Sequence, residues 1–266
     1  KGGLVELGSG REMLRRECSW RRLGVEVGVV LALGVMMILV GLIPPRKVAW
    51  SVTDSSISKS HEESSVPTWS VPIIGLALLG CVFATVQLRA QAPLSRSTLS
   101  AQLAYGVVTL GLVLGATGIV TALMKAGVGR LRPHFLAVCR PEQASNATDA
   151  PWICTGDSAK IAEARRSFPS GHTSVMFAGS VTASAFVVAA LGPDLAVAAA
   201  LLPIPVAVVV GMSRIWDHAH HPTDVVGGAI LGSVVAVVGV ALRFRFATAH
   251  EHALLFPRRH RTGTPP

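Results

Sequence analysis

Residues 213–242 read SRIWDHAHHPTDVVGGAILGSVVAVVGVAL. Arg214, Asp217, His218, His220, His221 and Asp224 crowd the first part of this stretch, and no charge follows from Val225 to Leu242. An uncharged apolar run of about 20 residues is what an α-helix needs to cross about 30 Å of hydrocarbon. A dense polar cluster therefore opens directly onto a membrane-spanning helix.

Reading outward, five more runs without charge have that length: Val27–Pro45, Val71–Leu88, Tyr105–Met124, Thr173–Pro193 and Leu195–Ser213. Pro203 and Pro205 suggest a kink in the fifth. Half of the 266 residues are hydrophobic and only 15% are charged, against about a quarter in soluble domains. Mean hydropathy is +0.53. These values exclude intrinsic disorder, a disulfide-held miniprotein and a cytosolic enzyme. The expected fold class is all-α, a polytopic membrane protein of six transmembrane helices. Its expected parts are a basic cytoplasmic segment 1–26, the six-span domain 27–242, and a disordered basic cytoplasmic tail 243–266. The first run is too long for a removed signal peptide.

Six spans put both termini on one side, together with Arg89–Gln102 and Gly192–Asp194. That side carries 13 basic and 5 acidic residues, the other 11 and 9, with Glu26 at the edge of the first span. The positive-inside rule then makes the termini cytoplasmic. Arg15–Arg16, Arg21–Arg22 and Arg258–Arg259 flank spans or lie in tails, where they suit anionic headgroups. No basic stripe with interleaved aromatics points to nucleic acid. Cys18 falls on the cytoplasmic side and Cys81 within a span. Cys139 and Cys154 share one loop on the opposite side, so a disulfide is expected if that compartment is oxidising. Asn146-Ala147-Thr148 in the same loop is an N-glycosylation sequon.

Three polar clusters lie at the span ends on that non-cytoplasmic face. The third span ends in Lys125-Ala-Gly-Val-Gly-Arg130-Leu-Arg132-Pro133, the fourth opens with Phe168-Pro169-Ser170-Gly171-His172, and Ser213–Asp224 joins the fifth to the sixth. A single charge at a span end merely snorkels to the interface. Three converging clusters make a site. Lys125, Arg132 and Arg214 supply three positive charges and Asp224 one negative, which a phosphate monoester of nearly −2 would balance. Arg forks and a Lys point charge suit phosphoryl oxygens. The fourth span aims its helix N-terminus at the anion, with Ser170 as a donor and Gly171 permitting close backbone approach. Pro222 reads as the first residue of the sixth helix, with Asp224 in its first turn. Asp224 can orient His220, leaving its other ring nitrogen to attack phosphorus, and His172 can protonate the departing alkoxide. His218 and His221 read as polar interface residues. A metal on His218, His220, His221 and Asp224 is the rival reading, opposed by three nearby cations.

Together the clusters resemble the signature of the type 2 phosphatidic acid phosphatase (PAP2) superfamily: Lys-x6-Arg-Pro, Pro-Ser-Gly-His, and Ser-Arg-x5-His-x3-Asp. Every position is present, from Lys125 to Arg132-Pro133, across Pro169–His172, and from Ser213-Arg214 through His220 to Asp224. Gly129–Cys139 and Ser213–Val225 look like the eukaryotic lipid phosphate phosphatase branch. The resemblance covers about Val27 to Leu242. It implies a helical-bundle core of the PAP2/haloperoxidase type and a phosphatase that needs no metal or other cofactor. Its implied substrate is phosphatidate, or a related lipid phosphomonoester, met in the bilayer on the lumenal or extracellular face. His220 would be the nucleophile forming a phosphohistidine, Asp224 its partner and His172 the acid. Lys125, Arg132, Ser170, Gly171 and Arg214 would hold the phosphoryl oxygens, and Arg130 has no assigned role.

The alternatives are a phosphatase of the same superfamily for sphingoid-base phosphates or polyprenyl diphosphates, a non-catalytic phospholipid-binding protein, and a channel or transporter. Intact His172, His220 and Asp224 argue against a non-catalytic protein. A channel would place ionisable residues near mid-membrane, and these spans are nearly free of them. The sequence carries no signal of oligomeric state.

Overall fold

Apolar runs in lipid must satisfy their own backbone groups, and helices do so. In the computed structural model, which describes residues 3–89, 96–145, 147, 150–191 and 203–247, the long elements are all helical. They are α1 (Gly3–Gly41), α2 (Ser70–Arg89), α3 (Arg96–Val128), α6 (Gly171–Leu191), α7 (Pro203–Trp216) and α8 (Pro222–Arg245). Between α3 and α6 lie α4 (Phe135–Cys139), α5 (Ser158–Ala164) and two short strands.

The chain is an integral membrane protein. Among the described residues four stretches are long and apolar enough to cross a bilayer: Arg21–Gly41, Ser100–Val128, Gly171–Val188 and Pro222–Arg245. Pro203–Trp216 is a shorter apolar helix. The helix α1 starts at Gly3, so the first apolar run and the basic segment before it are one element. Pro203 and Pro205 open the described part of α7. Residues 192–202, where the expected kink and the first part of the fifth apolar run fall, lie outside the described residues. The sequon residues Asn146 and Thr148, and the tail from residue 248, lie outside the described residues.

The only strands among the described residues form a short ribbon in an otherwise helical fold. Strands β1 (Pro141–Gln143) and β2 (Trp152–Cys154) pair antiparallel, Glu142 opposite Ile153. The Cys139–Cys154 disulfide anchors this ribbon, with Cα atoms 4.6 Å apart. Beneath it Ile57, Leu131, Phe135, Cys139 and Ala164 form a small core of their own, with Trp50 edge-on to Phe135 at 5.7 Å. This cap sits over the end of the bundle at which α3 leaves and α6 begins.

Within the bundle α6 is central and touches α2, α3, α7 and α8. Met176 packs with Val71 of α2 and Ala207 and Val210 of α7, while Ala178 packs with Val113 of α3 and Ala236 of α8. Lipid already solvates large apolar side chains, so helices associate where small residues let backbones approach. The seam between α6 and α8 follows this rule. A Cβ on Gly228 would lie 2.6 Å from the Ser170 carbonyl oxygen, and one on Gly232 would strike that of Ser174. Only glycine at both positions brings the starts of α6 and α8 together. Trp69, just before α2, and Trp216, ending α7, are 70% and 65% exposed. Exposed tryptophans at one end of a bundle mark the headgroup level.

Candidate active site

The three polar clusters meet at this end of the bundle, and Asp224 joins them. Its carboxylate is fully buried. Oδ1 accepts from Arg130 Nη1 of the first cluster at 2.7 Å. Oδ2 accepts from the hydroxyl of Ser167, ahead of the second cluster, at 2.6 Å, and from the His221 N–H at 2.9 Å. The Asp224 carbonyl accepts from the Ser170 N–H at 3.0 Å, tying the start of α8 to that of α6. Four donors therefore fix one residue.

The spacing between Arg214 and His220 has a local cause. At the end of α7 the Arg214 carbonyl accepts from the N–H groups of both Ala219 and His220, at 3.0 and 3.2 Å. His218 takes a left-handed φ of 50° to close this turn, a conformation histidine adopts more readily than most non-glycine residues. His134 secures it by donating from Nδ1 to the His218 carbonyl at 2.8 Å. Pro222 then opens α8 with His221 as its N-cap, so His220 stands between two helix ends.

The structure places Nδ1 of His220 at 3.6 Å from Asp224 Oδ2, buried and without a hydrogen-bond partner. The sequence led us to expect a direct bond. The carboxylate oxygens are instead satisfied by Arg130, Ser167 and His221, and the imidazole rests just beyond their reach. Burial holds the His220 pKa down at about 3. The Asp224 carboxylate opposes that shift and the cations Lys125 and Arg132 add to it. The imidazole is thus neutral at pH 7, with a lone pair available.

Lys125, in the last turn of α3, faces the N-terminus of α6. A Cβ on Gly171 would lie 3.8 Å from its Nζ. Its ammonium has no hydrogen bond or ion pair among the described residues. Arg132 pairs through Nη2 with Glu163 of α5, and its buried Nε has no partner. Ser170 is fully buried and accepts from Thr173 Oγ1 at 2.9 Å, which leaves its own hydroxyl hydrogen to donate. Arg214 is differently placed. It forms an ion pair with Asp217 at 2.6 Å and donates to Ser213 Oγ from both Nε and Nη2. His172 shares the surroundings of Arg214, Lys125 and Arg132. Its Nε2 donates to the Val66 carbonyl at 3.1 Å.

All eight residues singled out from the sequence thus lie at one end of the bundle. Unspent donors on Lys125, Arg132 and Ser170 share one end of the bundle with an imidazole held neutral. That arrangement can accept a tetrahedral oxyanion and present nitrogen to its central atom. Sequence reasoning missed Ser167, His134, Asp217, Glu163 and the contact of His221 with Asp224. Only the last had a signal, since His221-Pro222-Thr223-Asp224 has N-cap-to-N3 spacing.

The sequence profile of the PAP2 superfamily matches residues 106–247, just over half the chain. Among curated relatives, lipid phosphate phosphatase 1 of Arabidopsis thaliana is 32% identical over 183 residues, covering 66% of this chain and 54% of the relative. Lipid phosphate phosphatase 2 of the same plant is 33% identical, covering 66% and 61%. A putative phosphatidate phosphatase of Drosophila melanogaster is 29% identical over 255 residues, covering 82% and 67%. The chain therefore spans between about half and two thirds of the length of these relatives. No solved structure matches it significantly.

Proposed function

The chain belongs to the PAP2 superfamily, and on that premise we propose that it is a lipid phosphate phosphatase of the membrane, hydrolysing phosphatidate to diacylglycerol and inorganic phosphate without a metal. The observation that carries this reading is the neutral, buried His220 set between Asp224 and the open donors of Lys125 and Arg132. The nitrogen of His220 that faces the phosphoryl group attacks phosphorus as the ester P–O bond breaks. Protonated His172 gives its proton to the departing diacylglycerol oxygen. Water then attacks the phosphohistidine, losing a proton to His172, and the P–N bond breaks to release phosphate. Asp224 balances the positive charge that develops on the ring of His220. Lys125, Arg132, Ser170, the Gly171 N–H and Arg214 hold the phosphoryl oxygens, whose charge grows in the transition state.

The reading extends to placement. Six spans, with both termini cytoplasmic and the site on the lumenal or extracellular face, agree with the charge balance, the cysteine pair and the exposed tryptophans at the site end. A lipid substrate would slide in between helices, headgroup first at the level of Trp69 and Trp216. The test gives detergent-purified protein phosphatidate, lysophosphatidate, sphingosine 1-phosphate and a polyprenyl diphosphate, with chelator present, and measures released phosphate. Phosphatidate turnover unaffected by chelator is expected. Turnover abolished by chelator, or confined to the diphosphate, would overturn the reading.

A further inference from the structure

The connection between α1 and α2 lies outside the stretch matched by the family profile, which begins at residue 106. Its sequence around Ser60-His-Glu-Glu-Ser-Ser-Val66 has the look of a solvated polar loop. In the fold it is strapped across the site. The Lys59 N–H donates to the Pro133 carbonyl at 2.8 Å, and Ser60 Oγ meets His218 Nδ1 at 3.2 Å. Arg214 Nη1 donates to Ser64 Oγ at 2.5 Å. Ser65 donates its backbone N–H to Asp217 Oδ2 at 3.0 Å and its hydroxyl to Oδ1. The Val66 carbonyl accepts from His172 Nε2.

These contacts bear on two residues of the proposed chemistry. Arg214 and Asp217 are 2% and 5% exposed, so their ion pair is withdrawn from water. A buried carboxylate needs both oxygens satisfied, and losing a donor to one costs far more than at a surface. Ser65 supplies a donor to each oxygen of Asp217. With Asp217 fixed, the guanidinium of Arg214 is held on one side by Asp217, on another by Ser213 and on a third by Ser64. At His172 the constraint is on the tautomer. A carbonyl can only accept, so Nε2 carries hydrogen and Nδ1 is the nitrogen left to exchange a proton with the leaving group.

We propose that Ser64-Ser65-Val66 is a working part of the active site, with Ser65 a positioning residue that sets the Arg214 guanidinium through Asp217. The proposal rests on the reading of Arg214 as a phosphate ligand. Its test compares Ser65→Ala, Ser65→Thr and Ser64→Ala with the parent chain. KM and kcat for phosphatidate are measured in mixed micelles. Affinity for orthovanadate, a phosphate mimic, is measured separately from the thermal stabilisation it confers. Ser65→Ala is expected to raise KM and weaken vanadate binding roughly tenfold, the size of one lost hydrogen bond to a charged group. Ser65→Thr, which keeps the hydroxyl, is expected to restore most of both. A merely structural serine would lower the melting temperature and leave KM and vanadate affinity alone, and that result would overturn the proposal. Should Ser65→Ala fail to accumulate, Ser64→Ala decides: several-fold weaker vanadate binding supports the strap, and unchanged affinity overturns it. Vanadate binding without phosphatase activity, weakened by Ser65→Ala, would sink the phosphatase reading and keep the strap. An active parent with unaltered vanadate binding in the variants would do the reverse. A parent chain that neither turns over nor binds vanadate sinks both.

Discussion

Helices α1 and α6 are both uncharged over the length of a membrane span, and hydropathy treats them alike. Both touch α3, but their surroundings otherwise differ. Along α1, Leu31, Val35, Ile38 and Leu39 are exposed, whereas in α6 Met176, Ala178 and Ala183 are buried, as are the polar Ser174, Ser180 and Thr182. Thr182 returns its hydroxyl to the Ala178 carbonyl at 2.8 Å, and Ser180 donates to the Pro203 carbonyl at 2.9 Å, so none of this polarity is wasted on lipid. Large side chains are solvated well enough by acyl chains, and a helix rich in them gains little from a central position. Small and hydroxylated residues let four neighbours close in. The helix built from them is the one that can hold a polar end rigidly.

The largest effect expected from this contrast is at that polar end. His172→Ala, in α6, should lower phosphate release from phosphatidate by about 10²–10⁴-fold, the usual contribution of a positioned acid. His220→Ala, between α7 and α8, should lower it further, because no attack on phosphorus remains. Both variants should elute and melt like the parent chain. Retained turnover in either, measured as phosphate released per mole of folded protein, would separate the buried helix from the chemistry.

The seam comes next. Gly232→Ala places a Cβ against the Ser174 carbonyl. Overpacking of that kind costs roughly 1–3 kcal/mol, more than the gain of up to about 1 kcal/mol from replacing a helical glycine by alanine. The thermal unfolding midpoint in detergent should fall by several degrees, and activity should fall with it as Asp224 moves away from Ser170. A raised midpoint would mean that α6 and α8 are not held at backbone distance.

Acid should weaken the polar end and spare the rest of the bundle. His134 and His220 are both buried, and burial lowers their pKa values to about 4 and about 3. Unfolding returns each towards the ordinary value near 6.5. Between these limits the unfolded chain binds more protons than the folded one, so stability is complete above about pH 6.5 and declines as pH falls towards 4. Each group adds a slope of up to about 1.4 kcal/mol per pH unit inside its window. A midpoint measured from pH 7 down to pH 4.5 should fall, and His134→Asn should flatten the fall. A profile indifferent to that substitution would mean that His134 is not buried as neutral imidazole.

Much of this was legible in the sequence, for a physical reason. Uncharged runs can only be helices in lipid, and the polar clusters stand out because charge is scarce around them. What escaped was whatever depends on a contact across the fold. Ser167 and Ser65 look like any loop serine until the carboxylates of Asp224 and Asp217 are seen against them. Arg130 and Arg132, two residues apart, cannot be ranked by spacing; one lies on Asp224 and the other on Glu163. The Asp224-to-His220 pairing read from the sequence is an approach at 3.6 Å, because other donors reach the carboxylate first. The ribbon β1–β2 was missed because three-residue strands pinned by a disulfide leave no periodicity to read.

The smallest effect is the one that tests the contrast most directly. Gly34 of α1 has nothing within 4 Å of the position its Cβ would take. Gly34→Ala therefore adds a methyl group to lipid-facing surface, and its only consequence is a modest gain in helix propensity, at most about 1 kcal/mol. The same change of one methyl group, made at Gly232, acts against a carbonyl oxygen. If position in the bundle decides the sign, the unfolding midpoint should stay level or rise slightly in Gly34→Ala and drop in Gly232→Ala, with phosphatase activity unchanged in the first. A loss of stability or activity in Gly34→Ala would show that α1 is packed against something on that face, and the division between a lipid-facing α1 and a central α6 would have to be redrawn.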